Sequence, residues 1–181
     1  MWDFPTISIS KISHTPKGGN MNIFFTSRSP IVSARHLCDK HVPKMLLETC
    51  QMLSTGLQRH TGLLDELYKP AYPNHPMTRW VGDSYFNFGW TLYHATELAK
   101  EFEFRFKKEH KSKRIVNFIH HNMHICQSMP ITKGGWTAIP LCMPDKYKTE
   151  DVFLSYRLYY NGEKLHFAKW EKGRKKPTWV N

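Results

Sequence analysis

Long apolar runs are missing from this 181-residue chain. None approaches the roughly 20 consecutive apolar residues that a membrane-spanning helix needs, which excludes an integral helical membrane protein. Paired cysteines are missing as well. Cys38, Cys50, Cys126 and Cys142 show no C-x-x-C spacing, so they point to a reducing compartment rather than a disulfide framework or a zinc knuckle. The opening Met1-Trp2-Asp3-Phe4-Pro5 has neither the cationic nor the apolar region of a secretory signal. There is no phosphate-binding glycine loop, no dinucleotide fingerprint and no serine elbow, so neither a cofactor nor a metal is expected. Acidic side chains are scarce: 15 Asp+Glu face 26 Lys+Arg, for a formal net charge of +11.

Aromatic rings are plentiful, with 11 Phe, 8 Tyr and 6 Trp, which a disordered basic tail would lack. The positive excess is concentrated. Arg105, Lys107, Lys108, Lys111, Lys113 and Arg114 form one cluster, and Lys164, Lys169, Lys172, Arg174, Lys175 and Lys176 form another. Two basic clusters on an aromatic-rich domain suggest a polyanionic partner, since each neutralised phosphate releases counterions. A charge run is also what a solvated helix end looks like.

Residues 1–20 read differently from the rest, being rich in Ser, Thr, Gly and Pro without helical period. Lys17-Gly18-Gly19-Asn20 before Met21 reads back into codons as a purine-rich ribosome-binding site ahead of a start codon. The expectation is a non-native or disordered extension over 1–20 and one helical domain over 21–181, with an ordinary flexible tail as the alternative.

Within that domain the pattern predicts an all-α fold. It would be a compact bundle of about three main helices with long loops and a basic C-terminal arm. Ser29-Pro30 opens a short helix to about Leu37. A longer helix over 42–60 carries the core stripe Leu46, Cys50, Leu53 and Leu57, with His41, Lys44, Glu48, Thr55 and Arg59 on the opposite side. The strongest stripe, Tyr85, Phe88, Leu92, Ala95, Ala99, Phe102 and Phe106, predicts a helix over 77–110, in one piece or two. A third main helix is expected over 149–170, capped by Thr149.

Three constellations invite chemistry. His41, Lys44 and Glu48 share a helix face, where a carboxylate beside a cation can act as a general base; a solvated i,i+4 pair is the plainer reading. Asn74-His75-Pro76 precedes a helix and places an amide and an imidazole near its N-terminus. His120-His121-x-x-His124 offers an i,i+4 pair without a third ligand.

From Met21 onward the chain resembles a widespread family of small bacteriophage proteins. The likeness is carried by Asp39-Lys40-His41-Val42-x-Lys44-Met45, Glu48-Thr49-x-Gln51-Met52-Leu53-Ser54-Thr55, Tyr68-Lys69, Asn74-His75-Pro76, Trp80 and Ser84. It continues in Met143-Pro144-Asp145-x-Tyr147-Lys148, Tyr156-Arg157-x-Tyr159-Tyr160, Glu163-Lys164, Ala168-Lys169-Trp170 and Pro177-x-Trp179. More distantly, Asp39-x-His41 with Glu48, then His75 and the aromatic helix, and Pro177-Thr178-Trp179, resemble the pyrimidine-dimer DNA glycosylase (endonuclease V) family of T-even phages.

That resemblance implies a DNA glycosylase, with or without abasic-site lyase activity, in the cytoplasm of an infected bacterium. Glu48 would be the catalytic carboxylate and His41 and Gln51 would line the DNA-facing site. In that family the nucleophile is the N-terminal α-amine, which here implies Met21, or Met1 where the extension is real, with Lys40 or Lys44 as substitutes. Asn22 departs from the family pattern, because it blocks removal of a preceding methionine. The partner implied is DNA, double-stranded, contacted by Gln51, Asn74, His75, Arg105, Lys107, Lys108, Lys111, Lys113, Arg114, Arg157, Lys164, Lys169, Lys175 and Lys176. Two other functions fit the same residues: a base- or nucleotide-modifying enzyme that leaves the strand intact, and a non-catalytic DNA-binding or host-takeover protein.

Overall fold

Two long helices and four shorter ones build the structure, a computed structural model that describes residues 21–181. The expectation for residues 1–20 lies outside the described residues. Among the described residues six α-helices occur: α1 (Pro30–His36), α2 (His41–Thr61), α3 (Pro76–Asp83), α4 (Tyr85–Phe106), α5 (Lys113–His121) and α6 (Val152–Lys164). Three 3-10 turns, Met123–Ser128, Asp145–Tyr147 and Leu165–Phe167, complete the order, and there is no strand among the described residues. The all-α expectation holds, while the count of three main helices does not.

Local chemistry accounts for the extra elements. The stretch read as 77–110 is two helices because Ser84 has extended backbone (φ −155, ψ 155) and caps α4 by accepting from Asn87 N–H. The freed N–H of Tyr85 donates to the Pro130 carbonyl at 2.8 Å, a partner far away in sequence. Lys107, at φ 54, then ends α4 on a left-handed residue. At the other end of the chain, α6 starts at Val152 because Asp151 rather than Thr149 accepts from two first-turn N–H groups.

Helices α1, α2 and α3 all pack on α4. The α2 stripe Leu46, Cys50, Leu53 and Leu57 is fully buried, as is most of the α4 stripe from Phe88 to Phe102. The α2–α3 crossing depends on Gly56 and Gly82: a Cβ on Gly82 would lie 3.0 Å from the Gly56 Cα, so neither position has room for a side chain. Close approach therefore explains Gly82. Gly162 makes room in the same way for the Tyr147 ring.

Two segments outside the helices complete the core. Residues 21–26 run through it without helix or strand, with Ile23, Phe24 and Phe25 at 3% exposure or less. The C-terminal segment is docked rather than a free arm. Lys169 O accepts from Asp39 N–H, Trp170 donates to His36 O, and Trp179 Nε1 donates to His36 Nδ1 at 3.3 Å.

Candidate functional site

Helix α2 presents Lys40, Lys44 and Leu47 to solvent, with Glu48 and Gln51 half-buried at the edge of that face. The Glu48 carboxylate has few partners. Asn22 backbone N–H donates to its Oε2 at 3.4 Å, and Lys44 Nζ lies 3.5 Å from its Oε1. Its side chain is only 13% exposed. Burial therefore pushes the Glu48 pKa up, against the opposing pull of Lys44, the Asn22 N–H and Lys164.

The Asn22 side chain anchors this arrangement by donating to Cys142 O at 2.9 Å. Its Oδ1 is buried without a protein partner, and so is the hydroxyl of Thr49, next to Glu48. Segment 21–26 and α2 thus meet at a junction where the Asn22 side-chain oxygen is left without a protein partner.

His41 is placed otherwise than the helical wheel suggests. It is 4% exposed and stacks on Phe24 at 5.1 Å, with Phe167 and Tyr160 edge-on. The Tyr160 hydroxyl accepts from Cys38 N–H at 3.0 Å and shares a second hydrogen bond with His41 Nδ1 at 2.8 Å. Burial, then the charges of Lys44, Lys164 and Lys40, lower the His41 pKa to about 3. This imidazole stays neutral at ordinary pH and braces Phe24 from a buried position rather than an exposed one. Thr55, also assigned to the polar face, is covered by the loop before α3, where it accepts from Ala71 N–H at 2.9 Å.

The remaining residues expected at the site fall into separate groups. Met21 is buried at 4% exposure beside Asn22. Lys164 lies with its Nζ over the Tyr159 ring at 4.9 Å and bears electrostatically on both His41 and Glu48. Gln51 follows Glu48 on α2, and Asn74 is exposed in the loop before α3. His75 caps α3 by accepting from Met77 N–H, which occupies its Nδ1.

Arg105 is a correction to the first basic cluster. Its side chain is fully buried and donates to Glu101, Asp39, Leu37 O and Arg35 O, leaving nothing for a phosphate. Lys113 pairs with Glu103 and Glu109, Arg114 donates to Glu66 O beside Tyr68, and Arg157 donates to Thr26 O. Lys107, Lys108, Lys111, Lys169, Lys175 and Lys176 are exposed. Of the histidine trio, His120 and His121 lie on α5 while His124 falls in the following 3-10 turn, so the i,i+4 helical geometry is not formed. No cluster of three potential metal ligands occurs among the described residues.

Sequence reasoning missed Glu101, whose partners Arg35 and Arg174 are far off in the chain, and the approach of the Asn22 backbone to Glu48. Tyr160 had a signal, since it stands in one of the motifs shared with the phage family.

Fold and site together define a protein that is all-helical among its described residues, in which a half-sunk carboxylate on the exposed face of α2 meets the non-helical segment 21–26. The chain belongs to the pyrimidine dimer DNA glycosylase family, whose model matches residues 21–114, just over half its length. No curated protein and no solved structure matches the chain.

Proposed function

We propose that the protein is a DNA glycosylase that releases a damaged pyrimidine from duplex DNA, with Glu48 as its catalytic carboxylate and an amine of the chain as nucleophile. The observation that carries this reading is the 3.4 Å approach of the Asn22 backbone nitrogen to Glu48 Oε2. Because Asn22 blocks removal of a preceding methionine, that peptide nitrogen becomes a primary α-amine only where cleavage by another route leaves Asn22 at the N-terminus. The family match begins at Met21, which supports a functional domain starting there.

An α-amine has a pKa of about 7.7–8.0, so much more of it is neutral at pH 7 than of an ordinary lysine. Its nitrogen forms a bond to C1′ of the sugar while the glycosidic C1′–N bond breaks, and the base leaves with the bonding pair and takes up a proton. Glu48 accepts the proton that the nitrogen sheds, and its raised pKa suits it to exchange protons nearer neutrality. Opening of the sugar ring then gives an imine, from which elimination of the 3′-phosphate breaks the strand. Lys44 steadies the carboxylate and, with Lys40, Gln51 and Lys164, faces the DNA backbone. His41 acts as a positioning residue: its neutral ring holds Phe24, two residues from Asn22.

Borohydride trapping on ultraviolet-irradiated duplex DNA tests this, using the full chain and a chain that begins at residue 22. The expected result is a covalent adduct that maps to Asn22 in the shorter chain and is lost in Glu48→Gln. Base release and adduct absent from both chains, or an adduct indifferent to Glu48→Gln, would refute the proposal.

A further inference from the structure

We infer that Tyr72 is the residue that this protein inserts beside the target nucleotide to hold duplex DNA unstacked. The inference rests on the glycosylase reading and deepens it by naming a positioning residue on a different loop from the catalytic carboxylate.

Three observations on Tyr72 converge. First, its backbone is left-handed, φ 48, in a side chain that gains nothing from that conformation. Only two non-glycine residues among the described ones have positive φ. The other, Lys107, ends α4 and donates its N–H to Glu103 O, which accounts for it. Tyr72 ends no helix. Second, it is the most exposed tyrosine described, at 53%, in a protein that buries or half-buries most of its rings.

Third, the loop that carries it is tied rigidly to α2. Ala71 N–H donates to Thr55 Oγ1 at 2.9 Å, Tyr68 N–H donates to Ser54 Oγ, and Gln58 Nε2 donates to Tyr68 O. His75 N–H closes the turn on Tyr72 O at 3.0 Å. A strained backbone bearing an outward-facing aromatic ring that the fold does not bury is a costly arrangement, and such outliers collect where a ligand is engaged.

Its place relative to Glu48 fits the same role. Thr55 is seven residues beyond Glu48, which puts it on the same side of α2 and about 10.5 Å along the axis. Tyr72 therefore stands at the far end of the strip formed by Lys44, Leu47 and Gln51, between Lys69 and Asn74, both exposed. An aromatic ring there can stack on a base and keep its neighbour from closing the helix while that neighbour reaches Glu48.

The test separates unstacking from chemistry. In the full chain carrying Glu48→Gln, fluorescence of a 2-aminopurine placed beside a thymine dimer in a synthetic duplex should rise several-fold on titration to saturation. Adding Tyr72→Gly should return the saturated signal to that of free duplex and weaken binding roughly 5- to 150-fold, the range for loss of one base–aromatic stack. Tyr72→Trp should restore both. Because glycine relieves the backbone strain, the thermal midpoint of Tyr72→Gly should equal or exceed that of the parent.

The assignment is overturned by a saturated signal that survives Tyr72→Gly, by Tyr72→Trp failing to restore it, or by no rise in the Glu48→Gln parent. A lower midpoint for Tyr72→Gly overturns it too, since the ring would then serve the fold. Base release by the otherwise unaltered chain is scored separately on alkaline gels. Release with fluorescence indifferent to Tyr72 removes only this inference, whereas no release removes the glycosylase reading itself.

Discussion

Glu48 and Glu101 are both carboxylates sunk below the surface beside cations, and the molecule satisfies them to very different degrees. Glu101 is 4% exposed and receives Arg105 Nε at 3.1 Å and Arg174 Nε at 2.9 Å, with Arg35 at 3.7 Å. Arg105 in turn bridges to Asp39, which also takes Glu171 N–H at 2.7 Å and so ties down the C-terminal segment. Every oxygen in that knot is occupied by guanidinium or peptide N–H. Glu48 has one long N–H bond and one exposed lysine, and the residue that donates to it, Asn22, carries an unpartnered side-chain oxygen. A carboxylate held by planar, permanently charged forks is committed to the fold. One left short of donors keeps lone pairs for a substrate.

The sharpest way to break that comparison is to neutralise each carboxylate and measure unfolding in urea. Glu101→Ala strands Arg105 and Arg174 and should cost about 3–5 kcal/mol, with loosening of the C-terminal segment. Glu48→Gln should leave stability unchanged or slightly raised, because the amide removes a desolvated charge while activity falls. Equal losses for the two variants would abolish the distinction.

Acid should weaken the core around both regions. His41 and His94 have folded pKa values lowered to about 3 and about 4, chiefly by burial. Their neutral forms are favoured in the folded state, so the stabilisation is whole above pH 6.5 and is lost as pH falls towards 3–4. On the order of 3–5 kcal/mol for each histidine is lost once the window is crossed, more for His41 than for His94. Glu48 works in the opposite sense, since its raised pKa means that protonation relieves a folded-state penalty. The urea midpoint followed from pH 7 to pH 4 should therefore fall steadily, and a flat profile would show that these rings protonate without cost.

The smallest effect belongs to Lys44. Lys44→Ala removes the charge that most strongly offsets the desolvation of Glu48, so the Glu48 pKa should rise further. The acid limb of the pH–rate profile should move to higher pH by less than about one unit, with a stability change near 0.3 kcal/mol. A shift to lower pH would mean that the lysine does not act on this carboxylate.

Much of the scaffold was legible because periodicity is local. The α2 and α4 stripes are read from residues three and four apart, and the burial of Leu46, Cys50, Phe88 and Ala95 follows directly. The break at Ser84 was less legible, since the N–H it frees is answered by Pro130. Arg105 illustrates the limit more sharply. In sequence it is one cation in a run of six, and its burial depends on Asp39 and Glu101 converging on it. Glu48 was singled out by the company of His41 and Lys44 and by resemblance, yet the helical wheel misplaced His41. Nothing in a wheel reveals that Phe24, Tyr160 and Phe167 close over that face.

The scarcity of acids, cysteine pairs and long apolar runs, together with the helical stripes, was enough to establish by itself an all-helical basic chain without a membrane-spanning helix among its described residues. It could not say which charges are free and which are consumed, because pairing energies depend on burial and on partners distant in the chain. Only the tertiary structure turned Arg105 inward, docked the C-terminal segment on α1, and set the Asn22 nitrogen against Glu48. Those outcomes come from long-range packing, where a few ångströms decide whether a charged group is spent on the fold or left for a substrate.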